Sequence, residues 1–140
     1  GENRVFAVMS FGENIAPEIG NKEAEAFAEG FRAKHNFDFS AAVFRTIFEH
    51  LQAAINKAGS LDPTKIAYAM EGQSMKDFLG YDTTMRADDH QIMTAYYVGV
   101  FQRGVKYDAE KTGLGWKTAA TITADQVVQP TSCKMRRPRM

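Results

Sequence analysis

The sequence predicts an α/β chain: one strand, three helices, then a β-hairpin and an irregular tail. Three observations carry that expectation. Ala53-Ala54-Ile55-Asn56-Lys57-Ala58-Gly59-Ser60-Leu61-Asp62-Pro63 reads as a helix end, a glycine stop and a fresh helix start. Met85-Arg86-Ala87-Asp88-Asp89-His90-Gln91 is a polar elbow between two runs that read as strands. Ahead of both, Val5-Phe6-Ala7-Val8-Met9-Ser10-Phe11 is a short apolar run ending at Gly12, the pattern of a buried strand.

Gly12 to Gly20 carries Gly, Asn and Pro and is expected to be loop. Asn21 is placed to cap a helix whose first turn holds Glu23 and Glu25 in the positive end of the dipole. Ala24, Phe27, Ala28 and Phe31 then recur at helical spacing, so one face is buried. His35-Asn36 is the expected stop, since Asn tolerates the left-handed conformation. Ser40 is expected to cap the longest helix. Its apolar stripe runs through Phe44, Ile47, Phe48, Leu51, Ile55 and Ala58, with Arg45, Glu49, Gln52 and Asn56 largely on another face. Lys57 complements the C-terminal dipole and Gly59 ends the helix. Asp62 caps the next helix with Pro63 at its first position, where a missing N–H costs nothing. Ile66, Ala67 and Met70 form its buried side, and Gly72 closes it.

Beyond Gly72, Tyr81 to Arg86 and Ile92 to Gln102 read as strands joined by the polar elbow, whose length suits a hairpin. In the second strand Ile92, Thr94, Tyr96, Val98 and Val100 share one face and Met93, Ala95, Tyr97, Gly99 and Phe101 the other. Both faces are apolar, so cover is expected on two sides. Arg103-Gly104 turns the chain; Thr112 to Trp116 is read as loop and the rest as irregular.

At 140 residues the chain has the length of one domain, and 44% hydrophobic with 24% charged residues places it with soluble globular proteins. Zero net charge argues against whole-molecule attraction to nucleic acid or an anionic membrane. No apolar run approaches the roughly 20 residues of a membrane helix, and Gly1-Glu2-Asn3-Arg4 does not open a signal peptide. Lys134, Arg136, Arg137 and Arg139 make a basic tail, read as a solvated terminus. A lone Cys133 excludes an internal disulfide or a cysteine metal cluster within the chain.

The order strand, helix, long helix ending Ala-Gly-Ser-Leu-Asp-Pro, short helix, glycine, then a hairpin bearing Met85 to Gln91 resembles the closing third of the branched-chain amino-acid-type solute-binding proteins of ABC importers. Gly113-Leu114-Gly115-Trp116-Lys117-Thr118 and Thr131-Ser132-Cys133-Lys134-Met135 resemble endings in that family. The resemblance implies a partial periplasmic-binding-protein type I fold. Residues 1–77 would belong with a first lobe and 78–140, the crossing, hairpin and tail, with a second. It implies periplasmic capture of a small ligand by lobe closure and delivery to an ABC permease, with no enzymatic step and no cofactor. Ligands would be amino acids or related small carboxylates and amides. Upstream strands of the family are not in this sequence. The Phe44-Phe48-Leu51-Ile55 stripe is therefore expected to find a substitute partner by helix packing or self-association, or the chain to be a self-associating module without ligand.

The same resemblance places the start of the long helix at the ligand cleft, with Phe39 as an apolar wall and Ser40 offering its hydroxyl. The other reading is local, Ser40 capping its helix and Phe39 stapling the turn, and ordinary capping preference favours it. Phe78, Gly80 and Tyr81 would form the hinge. Asp88-Asp89-His90 has metal-ligand residue types, but adjacent extended residues point apart, so an elbow with Asx-type hydrogen bonds is expected and no metal. His35 and His50 are read as surface or boundary residues. Tyr96, Tyr97 and Phe101 lack interleaved basic residues, so packing is expected there and not nucleic-acid stacking.

Overall fold

The computed structural model describes residues 1–108 and 110–138, so Arg139 of the basic tail lies outside the described residues. The first strand, β1, spans Phe6–Met9. Four helices follow: α1 (Ile15–Glu18), α2 (Lys22–His35), α3 (Ala42–Ala58) and α4 (Pro63–Met70). Next come β2 (Ser74–Lys76), β3 (Asp82–Met85), β4 (Ile92–Met93), β5 (Tyr96–Arg103), β6 (Leu114–Ile122) and the short α5 (Ala124–Val127). The strands form two antiparallel three-stranded sheets, β1-β5-β6 and β2-β3-β4.

The capping chemistry read from the sequence holds at Asn21, Asn36, Gly59 and Asp62. Asn21 Oδ1 accepts from Ala24 N–H, and Asn36 ends α2 in the left-handed region at φ 50°. Gly59 ends α3 at φ 58°, its N–H bonded to the carbonyls of Ile55 and Asn56. Asp62 accepts from Lys65 N–H with Pro63 opening α4. The exception is Ser40. The first turn of α3 is capped by Ala41, whose carbonyl accepts from Phe44 and Arg45, and no side chain caps it. Ser40 sits one residue too early to reach the free N–H groups, and it is exposed.

Other departures share one cause: pairing between distant segments overrides weak local preference. The stretch from Gly12 to Gly20 is not all loop, since Ile15 and Ala16 are fully buried and nucleate α1. The long strand expected from Ile92 is broken at Thr94-Ala95, sending β4 to one sheet and β5 to the other. The predicted loop at Thr112 to Trp116 and the tail beyond it instead hold β6, which pairs with β5 from Tyr96↔Ile122 to Arg103↔Leu114. Gly115 and its two alanines, Ala119 and Ala120, are poor strand formers, and the partner supplies what they lack. At Gly99 the packing is close: a Cβ there would lie 2.3 Å from Met9 Cε and 3.2 Å from a Trp116 ring carbon, so the Met9 side chain would have to swing aside. After β6, Thr123 and Gln126 form a capping box for α5.

Ile15, Ala16, Ala24, Leu79, Ala95 and Tyr97 form a buried cluster, with Phe11, Phe78 and Tyr81 packed against it. The core thus gathers around the segment predicted as a hinge. A second buried layer lies between α3 and the β2-β3-β4 sheet. There Ala42, Thr46, His50 and Ala54 face inward, and His50 is 0% exposed, not a surface or boundary residue. The N-terminal half of the apolar stripe of α3 faces out instead, Phe44 60% and Phe48 67% exposed, while Leu51, Ile55 and Ala58 are half-buried.

Candidate functional site

The α2–α3 connection and the turn after β2 meet at one place. Phe39 is buried, and its ring packs edge-on to Phe27, Phe11 and Phe78 at centroid distances of 5.0, 5.8 and 5.5 Å. Phe31 adds a tilted contact at 5.3 Å. A predicted ligand-wall residue, Phe39, and a predicted hinge residue, Phe78, are therefore brought into contact. Ser40 is not part of this cluster's interior.

The segment predicted as a hinge is a hydrogen-bonded turn. Asp77 Oδ1 accepts from Leu79 N–H at 2.9 Å and from Tyr81 N–H at 2.8 Å. Its own N–H donates to Tyr81 O at 2.8 Å, and Gly80 N–H donates to Asp77 O at 3.0 Å. Gly80 takes φ 92°, a conformation open to glycine and costly for other residues. Burial raises the Asp77 carboxyl above its ordinary value, while the backbone N–H groups of Tyr81, Leu79 and Gly80 pull the other way. Asn21 joins this turn to α2: as Oδ1 caps the helix, Nδ2 donates to Leu79 O at 3.0 Å. Tyr81 meets Tyr97 edge-on at 5.9 Å.

Beside the turn lies an open cleft of about 690 Å³, with Asn21, Arg45, Glu49, Gln52, Asp77 and Phe78 among its walls. The Arg45 guanidinium stands over Phe78 at 4.9 Å and Phe27 at 5.1 Å while Nε donates to Glu49 at 2.8 Å. Such a cleft offers an aromatic wall, amides and balanced charge, which suits noncovalent recognition of a small polar molecule. Neither Phe39 nor Ser40 lines it. Asp77, Arg45 and Asn21 were not singled out from sequence; only the Asn21 cap was, and its second bond depends on a residue 58 positions away.

The elbow after β3 resolves into separate contacts. Asp89 Oδ1 accepts from Gln91 N–H at 3.0 Å, an Asx-type bond, and Asp89 pairs with Arg86 at 3.4 Å. His90, at φ 54°, turns away to meet Glu71 Oε1 at 3.0 Å. Arg137 of the tail also binds Glu71, at 2.7 Å, which with His90 holds that carboxyl below its usual range. Among the described residues no group of three or more His, Cys, Asp or Glu side chains is placed to hold a metal. No helix among them is long and apolar enough to cross a membrane.

No family model matches the chain. Over 130 residues it is 32% identical to Leu/Ile/Val-binding protein homolog 4 of Brucella melitensis, covering 87% of this chain and 31% of that protein. The closed form of a leucine-, isoleucine-, valine-, threonine- and alanine-binding protein from Brucella ovis superposes with a TM-score of 0.77 at 27% identity, over 95% of this chain and 35% of the other. An ABC-type branched-chain amino acid transporter from Rhodopseudomonas palustris shares the fold, with a TM-score of 0.69 at 18% identity over 90% of this chain and 32% of the other. The chain spans about a third of the length of the proteins it matches.

Proposed function

We propose, for a chain whose fold is part of the periplasmic-binding-protein type I fold and which resembles the branched-chain amino-acid-type solute-binding proteins, that it is the C-terminal piece of such a protein. The match to Leu/Ile/Val-binding protein homolog 4 over 87% of this chain carries the reading. In the whole protein, an amino acid or related small carboxylate or amide is held between two lobes in the periplasm and handed to an ABC permease. The step is binding and release, with no covalent chemistry.

Residues 78–140 go with the second lobe and the helices of 1–77 with the first. β1, whose register runs from Phe6↔Val100 to Met9↔Tyr97, goes with β5. Phe78, Gly80 and Tyr81 form the hinge, in line with a turn fixed by Asp77 and packed on Phe39. The N-terminal end of α3 faces the ligand, where Ser40, free of a capping duty, has its hydroxyl available. The full reading frame, expressed and titrated calorimetrically with leucine, isoleucine, valine, threonine and alanine, tests this. Binding weakened by Ser40→Ala supports the proposal; a frame lacking two α/β halves, or no heat with any of the five, refutes it.

A second reading has its own observation. Phe6 is 62% and Val8 71% exposed on β1, an edge strand, in addition to the open face of α3. Each large apolar side chain is worth roughly 1.5–3 kcal/mol when buried, so the isolated chain would self-associate through these surfaces. Light scattering after size exclusion discriminates: a monomer at micromolar concentration removes this reading and leaves the first untouched.

A further inference from the structure

Arg45 and Glu49 stand four residues apart on α3, and both line the open cleft of about 690 Å³ beside the Asp77 turn. A pair at that spacing on a helix face is ordinarily a minor, solvated contact. This one is held on two sides. The Arg45 guanidinium lies over the Phe78 ring at 4.9 Å and the Phe27 ring at 5.1 Å. Those rings are themselves fixed, edge-on to each other at 5.3 Å and both packed on Phe39. At the guanidinium's edge, Nε donates to Glu49 Oε1 at 2.8 Å. The Arg45 side chain is 38% and the Glu49 side chain 35% exposed, so the pair is anchored yet reachable from the cleft. Their bond uses Nε and Oε1, which leaves the two Nη groups and Oε2 for a further partner.

We infer that this ion pair is a recognition site for a small zwitterion, a molecule carrying a carboxylate and an ammonium on neighbouring atoms. A cation and an anion held side by side attract a ligand that presents the same two charges in reverse. The ligand carboxylate meets the Nη edge of Arg45, where two N–H donors match its two oxygens. The ligand ammonium meets Glu49 Oε2. A ligand with one charge alone gains one partner and is repelled by the other. The remaining charges along the cleft favour this orientation. Lys76 is paired with Asp82 at 2.8 Å, and Asp77 Oδ1 is spent on its turn. Glu23, in the first turn of α2, adds an acidic group for the ammonium end.

The aromatic stack gives the site its selectivity. Because the rings fix the guanidinium before a ligand arrives, binding does not have to order it. A lysine in its place keeps the charge but loses both the flat stack and the two-pronged edge. Amides of Asn21 and Gln52 with the Met75 side chain leave room for a polar or an apolar ligand body. Neither Phe39 nor Ser40 lines the cleft, so this site is separate from the one assigned to the start of α3.

The test is an NMR titration of this 140-residue chain with leucine and with two analogues that each lack one charge, leucinamide and 4-methylpentanoate. The leucine side chain of the probe rests on the proposed function; the need for both charges follows from the pair. Leucine is expected to shift the Arg45 Nε–H and Phe78 ring signals, with each analogue binding about tenfold more weakly. Arg45→Lys is expected to weaken leucine by about tenfold with the amide spectrum elsewhere in place, and Glu49→Gln to remove the preference for leucine over 4-methylpentanoate. An analogue that binds as tightly as leucine, or no shift at Arg45 with leucine, overturns the site without any variant. Leucine binding that Arg45→Lys leaves unchanged overturns it too. If the full reading frame binds leucine and is indifferent to both substitutions, this site falls and the proposed function stands.

Discussion

Replacing Thr83 by Val asks how the long helix is held to the β2-β3-β4 sheet. His50 and Thr83 are both fully buried, with His50 Nε2 2.8 Å from Thr83 Oγ1. The threonine hydroxyl has one hydrogen, and it donates to Met75 O at 3.1 Å. It must therefore accept from His50, which fixes the proton on Nε2 and leaves Nδ1 bare, in keeping with Nδ1 having no partner among the described residues. Thr83→Val keeps the shape but orphans the Nε2–H in a dry site, a loss of about 1–3 kcal/mol. With a urea slope of about 1–3 kcal/mol/M the unfolding midpoint should fall by roughly 1 M. His50→Leu is milder, about 1 kcal/mol, because Thr83 still donates to Met75. In the double variant both polar partners are gone, so it should be no less stable than Thr83→Val alone, a coupling opposite in sign to additivity.

The same geometry sets a pH dependence. A second proton on His50 would need an acceptor at Nδ1, and burial already lowers its pKa from the ordinary 6.5, with Glu49 opposing. Below 6.5 the unfolded chain takes up a proton that the folded chain refuses. Stability from this group is thus whole above 6.5 and is lost as pH falls toward the lowered folded value. His50→Leu should flatten that part of the stability profile. An unchanged urea midpoint in Thr83→Val, or an acid limb identical in His50→Leu and the unaltered chain, refutes the tautomer argument.

Asp77→Ala should unfasten the turn before β3. Two backbone N–H groups lose a carboxylate acceptor, about 2 kcal/mol by urea unfolding, with faster amide exchange at Leu79 and Tyr81. Gly59→Ala meets no atom within 4 Å but must hold φ 58°, so a loss of about 1 kcal/mol in thermal unfolding is expected from backbone strain alone. Phe44→Ser with Phe48→Ser should leave monomer stability within about 0.5 kcal/mol, as exposed positions do. In sedimentation equilibrium it should abolish concentration-dependent association if the open face of α3 drives it.

Helix ends were legible because their chemistry is local. Asn21, Gly59, Asp62 and Pro63 each do their work within four residues, so spacing alone reveals it. The β3–β4 elbow was legible for the same reason, with Asp89 bonding to its own turn. Ser40 was misplaced by one residue, and one residue decides whether a hydroxyl reaches a free N–H or points to solvent. β6 was missed because its sequence is neutral and only β5, with Tyr96 to Arg103 already in place, makes it a strand.

The site was less legible than the fold, and the reason is physical. Phe39 and Phe78 are 39 residues apart in sequence, and nothing in the spacing of either announces a ring contact at 5.5 Å. His50 carries a similar lesson in reverse. A histidine on a helix with charged neighbours reads as surface, yet its partner Thr83 lies 33 positions on. Polar residues that hold distant segments together look locally like solvent-facing ones, because the feature that buries them is the partner. Asp38 and Arg32 are the partial exception: six residues apart across the end of α2, they sit within reach of each other by local geometry. The chain's apolar core follows from pattern, whereas its polar fastenings follow from topology, and the Asp77 turn and the His50–Thr83 bond belong to the second kind.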